Sequence, residues 1–344
     1  MKKIWSLLKP DLIKQGFKID DEFLENLSIK NIKYIKNQIY NLPLFIHECL
    51  DAIENSKNLI IKKCYPSGKE KKRLQMISYI NRGTYNQVYN VIDIISRKNY
   101  AYRFSNFSII NDSNLVNNFI ETFIHLFLSL YQKKFLLTNK TNLEENCGDS
   151  NILKLRHFGY NSNIGLISTI TNKMDGTLYD ILSIQNMKLS QKINILIKAL
   201  IQITCLIEHL QEQFKFIHND LKANNIFYKI LDSSEVDLYN PNNLHFFVSD
   251  FDASRIEICR HVIIGNVYLS PNSIFNSRKD LFLLLHSLYY TFNSTKWVLN
   301  FFGKFNLDSS IIGNQSKFHT LYNFNKESIN EIFEPSNLKK FLTT

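Results

Sequence analysis

The chain contains no CxxC pair; its five cysteines (Cys49, Cys64, Cys147, Cys205 and Cys259) are odd in number and far apart. That pattern argues against disulfides or a zinc site and points to a reducing, cytoplasmic compartment. Long apolar runs are missing too. The basic N-terminus MKKIWSLLKPDLIKQGF meets Lys9 and Pro10 too soon for a signal-peptide core. The most apolar stretch, LFLLLHSLYYTF at 281–292, contains His286 and Ser287 and suits a buried helix, so no transmembrane segment is expected. No internal repeat is seen. Glycine (10) and proline (6) are scarce while Asn, Ile, Lys, Phe and Tyr abound, the imprint of an AT-rich genome without functional weight.

What is present supports a large core. Hydrophobic residues make up 44% and aromatics 13% of 344 residues, enough for two lobes of ordinary size and too apolar for wholesale disorder. The net charge of +10 favours an anionic partner: nucleotide, nucleic acid, acidic protein or membrane surface. Lys62, Lys63, Lys69, Lys71, Lys72 and Arg73 cluster around Pro66 and Gly68. They read either as a solvated linker or as a phosphate-binding or localisation patch.

Residues 1–60 show short apolar groups at helical spacing, DEFLENLSIKNIKYIKNQI and then LPLFIHECLDAIEN, and are expected to be helices without chemistry. The Pro/Gly/Lys stretch 62–73 reads as a boundary. From 74 the runs LQMISYI, NQVYNVIDII and NYAYRFS are strand-like. A helical segment (115–135) and two more strands, ILKLRHFGY and IGLISTITNKM, follow. After 174 the character is helical, with 191–214 apolar nearly all round and hence buried.

Chemistry concentrates in a few segments. HNDLKANN (218–225) sets His218, Asp220 and Asn225 at fixed intervals. The pattern sets a carboxylate that could serve as a base and, five residues on, an amide that could coordinate magnesium. Lys222 is placed to neutralise charge on a transferring phosphoryl group. Alone, the octamer also fits a helix end running into a turn. VSDFDAS (248–254) supplies a second carboxylate, Asp250, after a short apolar strand, with Phe251 and Asp252 behind it. The polar LDSSEVDLYNPNN reads as an insertion between two strands. A base and a separate metal ligand are what such chemistry needs.

In the strand-rich half, INRGTYNQVYNV carries Gly83 between Asn81 and Asn86, with Val88 beyond. By itself this is an ordinary hairpin turn. YAYR places Ala101 and Arg103 in a strand, and Glu121, the lone acid of 115–135, is set to pair with Arg103. Glu121 alone would pass for a solvated helix residue. His209, His261 and His286 stand isolated and read as packing or surface histidines.

In this order the segments resemble a eukaryotic-type protein kinase over roughly residues 74–300, most like the divergent serine/threonine kinases of large DNA viruses. The resemblance implies an α+β, two-lobed protein-kinase-like fold. Residues 1–73 would be a helical extension and basic linker, 74–171 a strand-rich N-lobe and 172–344 a helical C-lobe. It implies ATP with Mg2+ (or Mn2+) as cofactors. Asp220 would be the base with Lys222 beside it, and Asn225 and Asp250 the metal ligands. Gly83, Val88, Ala101, Arg103, Glu121, Thr171, Lys173 and Met174 would form the nucleotide site. Asp280, opening the helix after LSPN, would anchor the catalytic-loop backbone. The partner would be a protein substrate of acidic character, with nucleic acid or an anionic surface meeting the basic N-terminal region. The compartment would be cytoplasmic, in a viral case the host cytoplasm or the virion.

Four departures from the family pattern stand out. Arg103 stands where the family carries lysine, and two loop glycines are replaced. Asp252 replaces the glycine after Asp-Phe. Asn219 replaces an arginine that often binds an activation-loop phosphate, implying a constitutively active enzyme. The leading expectation is a serine/threonine protein kinase. The alternatives are a pseudokinase serving as an interaction scaffold and, more remotely, a small-molecule or lipid kinase.

Overall fold

The computed structural model describes residues 1–48, 60–65, 69–82, 86–105, 112–136, 151–161, 165–231, 239–266, 275–292, 295–304 and 331–343. The chain divides into two compact units: Lys2–Tyr131 with Leu153–Lys173, and Met1 and Gln132–Ile152 with Met174–Thr344. They are called here the barrel unit and the helical unit.

The barrel unit opens with three helices, α1 (Lys2–Lys14), α2 (Phe23–Ser28) and α3 (Ile32–Ile39). Asn31 caps α3, its side chain accepting the Tyr34 N–H at 3.1 Å. Strands β1 (Leu44–Glu48), β2 (Ile60–Cys64), β3 (Glu70–Arg82), β4 (Asn86–Asp93) and β5 (Asn99–Ser105) follow. Helix α4 (Asp112–Tyr131) then leads towards β6 (Leu155–Asn161) and β7 (Leu166–Asn172). The sheet runs β1-β2-β3-β4-β5-β7-β6 and closes through a parallel β1–β6 pairing, Leu44 opposite Tyr160 and Phe45 opposite Asn161. Closure leaves no free edge along this sheet. Phe45, Ile61, Leu74, Val91, Tyr100, Tyr102 and Ile170 fill its interior.

The strand-rich part therefore begins at Leu44, where a helix had been expected. Phe45 is fully buried while Leu44 and Ile46 are 41% and 39% exposed, a period of two that a short apolar run does not reveal in advance. The basic stretch 62–73 is likewise no linker, since most of it belongs to β2 and β3. Lys63 points inward and is 1% exposed, its ammonium 5.3 Å from the ring centroids of both Tyr65 and Phe158. Lys72 pairs with Asp93 at 2.9 Å and Arg73 with Glu70 at 2.7 Å. Strands β2 and β3 pair antiparallel, Lys62 opposite Arg73 and Lys63 opposite Lys72, across the stretch that had read as a boundary.

The helical unit contains β8 (Gly176–Thr177), α5 (Leu178–Leu182), α6 (Leu189–Phe214), β9 (Ile226–Ile230), β10 (Leu244–Val248), β11 (Arg255–Ile258) and β12 (His261–Ile264). Helices α7 (Lys279–Phe292), α8 (Lys296–Lys304) and α9 (Pro335–Thr343) complete its described part. Thr177 and Asp180 form a capping box at the start of α5. Among the described residues α6 is the one helix long and apolar enough to cross a membrane, and 67% of its most apolar window is buried within the protein. Cys205 on α6 is disulfide-bonded whereas Cys64 and Cys259 are thiols. The expectation against disulfides fails because separation along the chain does not measure separation in space.

Candidate active site

Helix α6 ends on Lys215, which adopts a left-handed conformation (φ 48°) and turns the chain into the segment 216–225. Phe216 and Ile217 are buried. Ile217 bridges to Arg255 through two backbone hydrogen bonds of 3.0 and 2.8 Å, fixing the segment against β11. The next two residues are held by a buried carboxylate: Asp280, at the start of α7, accepts the N–H of His218 at 2.8 Å and of Asn219 at 2.9 Å. Burial pushes the Asp280 carboxyl up, against the pull of His218 and these two N–H bonds. The His218 ring lies 5.4 Å from that of Phe251, and its Nε2 bonds the Ser249 carbonyl at 3.0 Å. A carbonyl accepts only, so Nε2 carries the proton.

Asn219 is 1% exposed and left-handed (φ 64°), a conformation Asn tolerates better than most residues. Its side-chain NH2 donates to the Ala253 carbonyl at 2.9 Å, tying the segment to the turn after Asp250-Phe251-Asp252. Asp220 projects beyond this anchored stretch. Lys222 donates to Asp220 Oδ2 at 2.7 Å, and Asn225 Nδ2 donates to the same oxygen at 3.0 Å and to the Asp220 carbonyl at 2.9 Å. Burial alone would lower the Lys222 ammonium. The hydrogen bond to Asp220 and the charges of Asp220, Asp250 and Asp252 outweigh it and hold the group above its ordinary value.

Strands β9 and β10 pair antiparallel, Ile226 opposite Val248, which brings the end of β10 beside Asn225; the Ser249 N–H bonds the Asn225 carbonyl at 3.1 Å. Asp250 follows at φ 70°, and Phe251 is wholly buried. Carboxylate oxygens from Asp220, Asp250 and Asp252 all lie within 4.8 Å of one another. Asp252 thus belongs to the cluster rather than merely standing near it. The Asp252 carbonyl accepts the Asn266 N–H, and a Cβ at Gly265 would lie 1.9 Å from that carbonyl, so position 265 admits glycine alone.

The remaining candidates lie mainly in the barrel unit. Arg103 on β5 and Glu121 on α4 form a double-armed ion pair, Nη1 to Oε1 and Nη2 to Oε2 at 3.4 Å. Val88 sits opposite Arg103 in the β4–β5 ladder, and Ala101 opposite Thr171 in the β5–β7 ladder. Lys173 and Met174 follow β7, the division between the units falling between them. Gly83 and the LSPN segment lie outside the described residues. Reading the motifs alone did not anticipate the Asn219–Ala253 tether. The available signal was an Asn in a turn directly before Asp220.

Carboxylate oxygens from Asp220, Asp250 and Asp252, with Lys222 on Asp220, make a donor set suited to a hard divalent cation. No family model and no curated protein matches the chain. Among solved structures it is similar to the BubR1 kinase domain, with 18% identity, a TM-score of 0.43, and coverage of 78% of this chain and 67% of that one. It is also similar to the kinase PK-1 of Cydia pomonella granulovirus, with 20% identity, a TM-score of 0.34, and coverage of 53% and 55%.

Proposed function

We propose that the protein is an ATP-dependent protein kinase that transfers the γ-phosphoryl group to serine or threonine hydroxyls, with the barrel and helical units as its two lobes. The observation that carries this reading is the convergence of Asp220, Lys222, Asn225 and Asp250 at the joined ends of β9 and β10. Lys222 and Asn225 both occupy Asp220 Oδ2, which leaves Oδ1 to accept the proton of an acceptor hydroxyl. The Asn225 amide spends its N–H groups on Asp220, so its carbonyl oxygen is available for a cation.

The donor set fits a hard divalent cation such as Mg2+ or Mn2+, being made of carboxylate and amide oxygens. Asn225 and Asp250 would hold the ion, with Asp252 as an additional carboxylate. When bound, it would neutralise charge on the nucleotide phosphates. Arg103, braced by Glu121, is the candidate phosphate contact in the barrel unit. Its planar fork suits an oxyanion, where the family lysine offers a point charge.

Activity without prior phosphorylation is part of the proposal. Asn219 holds Ala253 directly, so the tie between the catalytic loop and the metal-binding turn needs no added phosphate. The net charge of +10 supports an acidic protein substrate.

The test uses purified protein, labelled ATP, Mg2+ or Mn2+, and one acidic and one basic protein substrate, beside Asp220→Asn. Label on Ser and Thr of the acidic substrate, lost in the variant, is the expected result. Equal incorporation in both proteins, or none in either across substrates and metals, overturns it in favour of a binding scaffold.

A further inference from the structure

Helix α4 has two faces with different partners. Val116, Phe119, Ile120, Phe123 and Phe127 recur at helical spacing and are at most 3% exposed. At about 100° per residue they form one stripe, and Glu121 lies roughly 140° round the axis from its centre. The Glu121 face meets Arg103. The aromatic stripe meets the N-terminal helices. Phe17 packs on Phe119, Phe123 and Phe158 with ring centroids 5.4, 5.8 and 5.5 Å apart. Phe23 lies 5.4 Å from Phe123, and Trp5 lies 6.4 Å from Phe127.

The turn that aims Phe17 is specific. Helix α1 runs out into Gly16 at φ 106°, with Gly16 N–H bonded to the Ile13 carbonyl at 2.9 Å and Phe17 N–H to the Leu12 carbonyl at 3.3 Å. This is the glycine-terminated helix end in which the residue after glycine folds back onto the helix. A Cβ at position 16 would meet the Asn41 carbonyl at 3.0 Å, besides the strain of that φ. Phe17, 2% exposed, thereby wedges between α4 and β6.

We propose that residues 2–39 form a built-in clamp on α4 and that Phe17 is a positioning residue for the Arg103–Glu121 pair. The inference rests on the kinase reading above. A side chain stands about 5–6 Å from the helix axis, so a rotation of about 20° would move the Glu121 carboxylate about 2 Å and out of hydrogen-bond range. Rings packed on the opposite face of α4 resist that rotation. The chain's own first helices thus fix the helix orientation, and neither a docked partner nor a phosphate is needed for it.

The experiment is a double-mutant cycle on kcat/KM for ATP, using the full chain well below its melting temperature. It compares wild type, Phe17→Ala, Glu121→Gln and the double variant, with Phe17→Leu as the conservative change and Val91→Ala as a barrel-core control. Phe17→Ala is expected to lower kcat/KM roughly tenfold, and the double variant to be no worse than Glu121→Gln, because both act through one pair. Phe17→Leu should stay within about twofold of wild type, and Val91→Ala should multiply fully with Glu121→Gln. Multiplying effects of Phe17→Ala and Glu121→Gln, or a Phe17→Ala loss no greater than that of Val91→Ala at equal melting temperature, overturns the clamp. If Phe17→Ala does not fold, Trp5→Ala carries the same cycle and the same criteria. A wild-type chain that transfers no phosphate fails before any variant is made, and that result removes the kinase reading together with the clamp.

Discussion

Asp220 in the helical unit is held by groups two and five residues away, Lys222 at 2.7 Å and Asn225 at 3.0 Å. Glu121 in the barrel unit is held to Arg103 by a helix whose far face is packed by rings from positions as distant as Phe17 and Trp5. The first arrangement is local and polar; the second is non-local and aromatic. They should fail differently. A local polar constellation loses function when one atom changes and the core is untouched, because its hydrogen bonds converge on a single residue, Asp220. An aromatic clamp tolerates conservative exchange but yields gradually as volume is removed.

Experiments can sharpen this contrast, beginning with the largest effect. Asp250→Asn removes the charge of the proposed metal ligand without changing its shape, and phosphoryl transfer should fall roughly 100-fold or more at fixed Mg2+ with the melting temperature nearly unchanged. A metal titration of the rate checks this, and an unchanged metal requirement would place the ion elsewhere. Glu121→Ala leaves Arg103 facing a nearly buried gap and should cost about 3 kcal/mol in a urea titration. A loss below about 0.5 kcal/mol would mean the pair behaves as an exposed one.

The barrel unit also predicts a pH dependence. Burial, with the charges of Lys63, Lys72 and Arg156, lowers the His157 imidazole to about 3. An unfolded His titrates near pH 6.5, so between about 6.5 and 3 the unfolded chain binds the extra proton, and stability falls as pH falls by at most about 1.4 kcal/mol per pH unit. His157→Phe should flatten that slope in melting curves from pH 7 to 5. An equal slope in both proteins would assign the dependence to other groups, such as His47, His209 or His286, whose burial lowers them as well. The smallest effect is in the helical unit. Asn219→Gly keeps the left-handed backbone but loses the bond to Ala253, costing about 1 kcal/mol of stability, whereas Asn219→Ala adds backbone strain of about 1 kcal/mol. Equal stabilities for Gly and Ala would show that the φ at 219 is not enforced.

The same contrast explains what could be read from the residues alone. The grouping of Asp220, Lys222 and Asn225 was legible because these residues sit within a few positions of one another, and the paired strands β9 and β10 bring HNDLKANN and VSDFDAS together. The strands from 74 to 105 and the helix carrying Glu121 were legible from alternation and from helical periodicity. Leu44–Glu48 was not, because a five-residue strand with a consecutive apolar run carries no decisive period. Nor was the inward-facing Lys63, since a lysine in a basic cluster looks solvated until the rings of Tyr65 and Phe158 are seen around it. The N-terminal helices were expected to carry no chemistry. Their packing on α4 is a property of folded distance that no local motif records.

The central claim is that Asp220 takes the hydroxyl proton in a phosphoryl transfer. It is tested most directly by the single-turnover rate of wild type against Asp220→Asn at saturating ATP and Mg2+, with melting curves for both. The variant should melt like wild type and transfer phosphate roughly 10²–10⁴-fold more slowly. An Asp220→Asn protein that melts normally and transfers phosphate at the wild-type rate would contradict the assignment.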